Sequence, residues 1–235
     1  MKAMKSCVVW AACAVAVGGA SAAELSYNLG VVSLYKSNGV DQDYDKADAT
    51  GLPFNDAIRP AIQGGVDLDL GNGFYVGNWN STGTFEKSNL EVDLYGGYAR
   101  ELSNGLGYDV GYAHYAYPGM SSWNGGELVF KVSFAGFGAK LTHGVNGSLK
   151  ADNGDAKQRF ALSYDYSVND QTSLNVTFGK RNQAGGDFAD YALGVSYDLG
   201  DSMTLSATFS GATKKAEADN GERNNRLVLG FGKSF

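Results

Sequence analysis

The run Arg159-Phe160-Ala161-Leu162-Ser163-Tyr164-Asp165-Tyr166, followed after residues 167–171 by Leu174-Asn175-Val176-Thr177-Phe178, decides the fold. Phe160, Leu162, Tyr164 and Tyr166 alternate with Arg159, Ser163 and Asp165, and Leu174, Val176 and Phe178 alternate with Asn175 and Thr177. Successive side chains of a strand point to opposite faces, so each segment reads as a strand with one apolar and one polar face. Joined by a short polar break, the two read as an antiparallel hairpin.

Working outward, the same alternation recurs in Leu25-Val31, Leu90-Leu94, Leu106-Tyr112, Leu128-Phe134, Phe137-Leu141, Tyr191-Tyr197, Met203-Phe209 and Leu227-Phe231. With residues 62–70 and the less regular 74–80, about twelve segments are long enough to cross a bilayer as tilted strands. The connections alternate in length. Short ones are expected at residues 71–73, 100–105, 135–136, 167–171 and 199–202, and long ones at 37–58, 80–88, 116–126, 146–158, 181–186 and 212–225. Tight turns gathered at one end and long loops at the other are the habit of an outer-membrane barrel, not of a soluble sandwich.

Composition agrees. The chain has 33 glycines, 3 prolines and 12% aromatic residues in 235. Scarce proline excludes collagen-like and Pro-rich disordered classes. A mean hydropathy of -0.23 excludes a bundle of apolar membrane helices, but not a barrel, which shows only alternate residues to lipid. The expected fold is therefore all-β: a transmembrane antiparallel up-and-down β-barrel of about twelve strands, with short periplasmic turns and longer extracellular loops.

Lys2 and Lys5, an apolar run over residues 7–18 and Ala20-Ser21-Ala22-Ala23 have the form of a secretory signal peptide. The expected division is a cleaved leader, residues 1–23, and a single barrel domain, residues 24–235. Trp10-Ala11-Ala12-Cys13 also reads as a loose lipobox. Cys7 and Cys13 both fall in the leader, which leaves no thiol in the mature chain. Cleavage removes two lysines and no acid, taking the formal net charge from -6 to -8.

Many glycines, among them Gly65, Gly97, Gly111, Gly179 and Gly230, fall on the polar phase. A narrow curved lumen requires small residues there, so the polar phase is expected to face inward and the apolar phase lipid. Tyr98, Tyr108, Phe134, Phe137, Tyr164, Tyr166, Tyr197 and Phe235 lie on the apolar phase beside short turns, the place of an interfacial aromatic girdle. The expected pore-lining groups are Asp67, Asp69, Glu91, Asp93, Asp109, Glu127 and Asp165, with Lys131, Lys140, Arg159 and Arg226 of opposite sign. Two readings of that lumen stand open. An acidic majority would make a narrow channel for small polar or cationic solutes. Pairing of the basic groups with the carboxylates, or an inward fold of the acidic loop at residues 37–58, would plug it and leave a structural barrel that presents its loops to a partner.

Pro60-Ala61-Ile62-Gln63-Gly64-Gly65-Val66-Asp67, Gly73-Phe74-Tyr75-Val76-Gly77-Asn78-Trp79-Asn80-Ser81, Glu91-Val92-Asp93-Leu94-Tyr95-Gly96-Gly97-Tyr98 and Tyr117-Pro118-Gly119 resemble the signature blocks of the TorF family of porins, a Gcw_chp-type outer-membrane family. The resemblance is dense from about Leu25 to Gly119, and it implies the barrel more than a solute. After the first strand the family commonly has an aromatic-Arg-Gly run, where this chain has Lys36-Ser37-Asn38-Gly39. The end of the chain, Leu227, Leu229, Phe231 and Phe235, resembles the assembly signal read by the barrel-insertion machinery, with Phe231 and Phe235 as its signal residues and Lys233 where an aromatic is usual.

No catalytic set is expected. His143-Gly144-Val145-Asn146-Gly147 resembles the His-x-Ser-Asn-Gly motif of outer-membrane phospholipase A, but Val145 stands at the nucleophile position and has no hydroxyl to activate. His114 and His143 are expected as rim anchors. Gly232-Lys233-Ser234 lacks the first glycine of a phosphate loop. Asp41, Asp43 and Asp45 open like a calcium loop, but Lys46 and Leu52 replace its glycine and glutamate. Asp152-Asn153-Gly154-Asp155 reads as a polar turn. No cofactor or metal is expected. The expected partners are outer-membrane lipid and lipopolysaccharide, the barrel-assembly machinery and small solutes, with no nucleic acid; no strand wall is marked for oligomer packing.

Overall fold

The computed structural model describes residues 23–42, 58–150, 156–183, 186–213 and 225–235. Strand β1 is Glu24–Val32, and a two-residue pair, β2 (Lys36–Ser37) and β3 (Val40–Asp41), follows it. The wall continues as β4 (Ala61–Gly71), β5 (Phe74–Phe85), β6 (Ser88–Glu101), β7 (Gly107–Ala116), β8 (Gly125–Phe134) and β9 (Phe137–Gly147). It is completed by β10 (Gln158–Ser167), β11 (Thr172–Asn182), β12 (Phe188–Gly200), β13 (Met203–Ala212) and β14 (Arg226–Ser234). Omitting β2 and β3, these are twelve antiparallel neighbours, closed by β1 pairing with both β4 and β14. Closure leaves no unpaired edge, the condition for a sheet in lipid. Each wall strand is at least nine residues long, enough to cross at a tilt.

All twelve expected segments are strands. One connection differs from expectation: residues 80–88 do not form a long loop. Instead β5 runs on to Phe85, the chain turns through Glu86 at a φ of 55°, and β6 starts at Ser88. Thr82 and Leu90 remain paired, so the extra residues prolong the hairpin beyond the barrel's body. At the opposite end, Ala135 (φ 50°) and Gly136 (φ 85°) form a two-residue turn, as do Asp201 (φ 50°) and Ser202 (φ 58°). Two successive left-handed residues match the twist of the flanking strands. This short-turn end is the one that faces the periplasm in outer-membrane barrels.

The phase is as expected. Leu162, Phe178 and Leu193 are 52%, 64% and 55% exposed on the outer face, and Phe137, Tyr164 and Tyr166 form an outward aromatic chain beside a short turn. Tyr98 packs between Phe74 and Tyr108 at the same level, where the Arg100 guanidinium donates through Nη1 to its hydroxyl. These rings form the girdle that anchors a barrel at the headgroups.

Glycine lets the inner face close up. A Cβ on Gly65 would collide with the Asn78 carbonyl oxygen of the adjoining strand, a backbone atom that cannot swing aside. Gly65→Ala should therefore weaken the β4–β5 pairing by about 1–3 kcal/mol, as overpacking does. The check is heat-modifiable gel migration, with the unfolding temperature of the variant falling below that of the parent; an unshifted transition would mean the ladder has room there.

Candidate functional site

Register places the expected lumen groups in two arcs. Asp67 and Asp69 of β4, Glu91 and Asp93 of β6, Asp109 of β7 and Glu127 of β8 stand on the inner phase of one arc of the wall, with β5 between the first two strands. Lys131, Lys140 and Arg159 occupy the same phase on β8, β9 and β10, where Lys131 and Lys140 are directly opposite each other. Asp165 lies toward the short-turn end of β10, and Arg226 opens β14.

Some of these groups pair. Lys131 lies 2.8 Å from Asp109, whose other oxygen accepts from the Tyr75 hydroxyl at 2.7 Å. Arg159 grips Asp190 of β12 with Nε and Nη2, at 2.9 and 2.6 Å, across β11. The bridge is possible because Gly179 of β11 lies between them; a side chain there would occupy the space of the guanidinium and the carboxylate. Other acids have only neutral partners among the described residues: Tyr95 donates to Asp67, Tyr115 to Glu127 at 2.7 Å, and Asn175 to Asp165 at 2.8 Å. Asp69 accepts from the Gly71 amide at 2.7 Å and shapes its turn.

The feature not anticipated residue by residue is the course of the chain after β1. At the start of the long connection expected over residues 37–58, the chain folds inward as the β2–β3 hairpin, turning through Asn38 (φ 49°) and Gly39 (φ 77°). Lys36 and Asp41 form an ion pair within it, and both are almost wholly buried. Arg226 of β14 donates through Nε to the other Asp41 oxygen at 3.2 Å. A Cβ on Gly39 would lie 2.5 Å from the Gly211 carbonyl oxygen and 2.9 Å from Asp190 Cβ, so the hairpin tip rests against β12 and β13. On the opposite side, Tyr35 meets Trp79 edge-on at 5.6 Å and Phe85 at 6.5 Å. The hairpin thus reaches from the β5 wall to the β12–β14 wall at the long-loop end. Burial, with Glu91 and Asp93 close by, pushes the Tyr35 phenol well above its ordinary pKa, which keeps it a hydrogen-bond donor.

Sequence reasoning did not single out Lys36, Tyr35, Trp79 or Tyr115. Asn38-Gly39 was the available signal for the hairpin, being a preferred two-residue turn. Trp79 and Tyr115 lie on the inner phase opposite Asp93, which strand alignment alone would have shown. Asp41 belongs to this ion network; Asp43, Asp45, Lys46, Leu52 and residues 152–155 lie outside the described residues, as do residues 1–22 of the expected leader. Both histidines stand on the outer phase at the long-loop side, and His143 Nδ1 is 2.9 Å from the Gln158 amide. No cluster of three His, Cys, Asp or Glu side chains suited to a metal is found among the described residues.

A closed twelve-stranded barrel with an apolar outside, an aromatic girdle and a charged interior has the architecture of a transmembrane β-barrel. The chain belongs to the family described as "Bacterial protein of unknown function (Gcw_chp)", which matches residues 16–230. Among solved structures it is similar to the KdgM porin, at 9% identity and a TM-score of 0.56 over 90% of this chain and 98% of that one. It is similar likewise to the NanC porin, at 13% identity and a TM-score of 0.56 over 90% of this chain and 99% of that one. Likeness at such identities shows the fold. No curated protein matches the chain in sequence.

Proposed function

We propose that this protein is a passive outer-membrane channel of the TorF type, exported by a leader at residues 1–23, whose barrel at 24–235 passes small polar or cationic solutes through a narrow acidic lumen. The observation that carries the reading is the imbalance of pairing inside the barrel. Lys131, Arg159 and Arg226 are each held by a carboxylate, whereas Asp67, Glu91, Asp93, Glu127 and Asp165 have no cationic partner among the described residues. Rings of uncompensated charge in a low-dielectric wall attract counter-ions and set selectivity. Lys140, facing Lys131, is the local opposing field.

The inward hairpin supports a second reading, a non-conducting barrel that presents its long loops to a partner. Single-channel recording in a planar bilayer under a salt gradient decides between them: discrete openings support the channel, and silence from folded barrels supports the plug. Within the channel reading, Glu91→Gln with Asp93→Asn should move the reversal potential toward zero while assembly is kept. An unchanged potential would remove these carboxylates from the conduction path. Phe231 and Phe235, exposed on the closing strand and its end, serve in this reading as the insertion signal, and the long-loop rim meets lipopolysaccharide.

A further inference from the structure

Asp93 stands on the inner face of β6 with Trp79 of β5 across one ladder and Tyr115 of β7 across the other. Glu91 lies two residues nearer the long-loop end on the same face, opposite Ser81. The two carboxylates are 6% and 4% exposed, and Asp93 Oδ1 and Glu91 Oε2 have no hydrogen-bond partner among the described residues. The Tyr35 and Tyr117 hydroxyls hydrogen-bond to Glu91, and Tyr115 is already committed to Glu127. Rings enclose the place: Tyr35 meets Trp79 and Phe85, and Phe85 meets Tyr117 at 5.0 Å. Burying two neighbouring carboxylates without a cation is expensive, and partners are needed to offset it.

We propose that Glu91 and Asp93, walled by Trp79, Tyr115 and Tyr35, bind a primary alkylammonium group. Two unpartnered acceptor oxygens call for a ligand with several N–H donors, which an R–NH₃⁺ group supplies. The aromatic faces attract the cation and cover its alkyl stem. A metal ion fits less well, because no three acidic or histidine side chains converge on a metal position among the described residues. Tyr35, which hydrogen-bonds to Glu91, also lines a rim cavity of about 250 Å³ with Leu34, Gln42, Arg59 and Asn89. The inference rests on the acidic-channel reading for its route of access and names the class of solute held there.

The test is calorimetric titration of the barrel, refolded in a non-ionic detergent, with n-butylammonium, tetramethylammonium, sodium and calcium salts. Butylammonium should bind saturably, and tetramethylammonium, which has no N–H, should bind at least about tenfold more weakly. Asp93→Asn and Glu91→Gln should each weaken butylammonium by about tenfold in barrels whose heat-modifiable migration is retained. The wild-type ligand series decides by itself if either variant fails to fold. Absence of saturable heat would overturn the site. Equal binding of tetramethylammonium, or tighter binding of sodium or calcium, would overturn the ammonium assignment. Channel openings without binding would refute this inference alone, and binding without openings would refute the channel alone.

Discussion

Replacement of residues 34–42 by a short Gly-Ser linker is expected to raise the single-channel conductance of the refolded barrel several-fold. Conductance follows the narrowest cross-section, and among the described residues the segment that crosses the long-loop end is this one. Leu34, Lys36, Val40 and Asp41 are all buried within a lumen that otherwise keeps many small residues on its wall. The hairpin is held from two sides: by Arg226 on Asp41, and by Tyr35 against Trp79 and Phe85. The wall itself does not depend on it, since β1 pairs with β4 and β14 through residues 24–32. Planar-bilayer recording checks the result. A conductance equal to that of the parent would mean that the hairpin is not the constriction. Arg226→Ala should act in the same direction with a smaller effect, because the Lys36 pair remains to hold Asp41.

Leu162→Arg should destabilise the barrel by about 2–4 kcal/mol, the cost of a cation near the bilayer midplane on the lipid face. Leu162 is half exposed in mid-strand β10, between Ala139 of β9 and Phe178 of β11. Thr177→Arg, one residue from Phe178 but on the inner phase beside Ser163, should leave stability close to that of the parent, since its side chain meets the polar interior. Denaturant unfolding from lipid vesicles separates the two. Equal loss in both variants, or the reverse order, would invert the assigned phase and with it the whole lumen.

The wall of this protein was legible because everything that specifies it is short-range. Alternation in Phe160-Ala161-Leu162-Ser163-Tyr164 sets which face is which, and Ala135-Gly136 and Asp201-Ser202 set where the strand reverses. The error at residues 80–88 has the same origin. Thr82, Gly83 and Thr84 alternate too weakly to read as strand, yet ladder pairing between Thr82 and Leu90 carries the strands past them. Of the interior, sequence could name the charged residues on the inner phase, but not which of them would meet. Lys131 and Asp109 are direct cross-strand neighbours, whereas Arg159 reaches Asp190 across an intervening strand only because position 179 is glycine.

By itself, then, the sequence determined the barrel, its strand number, its two faces and its two unlike ends, since period-two alternation and turn chemistry act over a few residues. Tertiary structure alone decided what occupies the mouth. Asp41 meets Arg226 across 185 positions of sequence, and Tyr35 meets Trp79 and Glu91 because the closed wall brings them together. Contacts of that range carry no periodic trace in the chain, because they come from closure of the barrel and not from any local preference of the residues that make them.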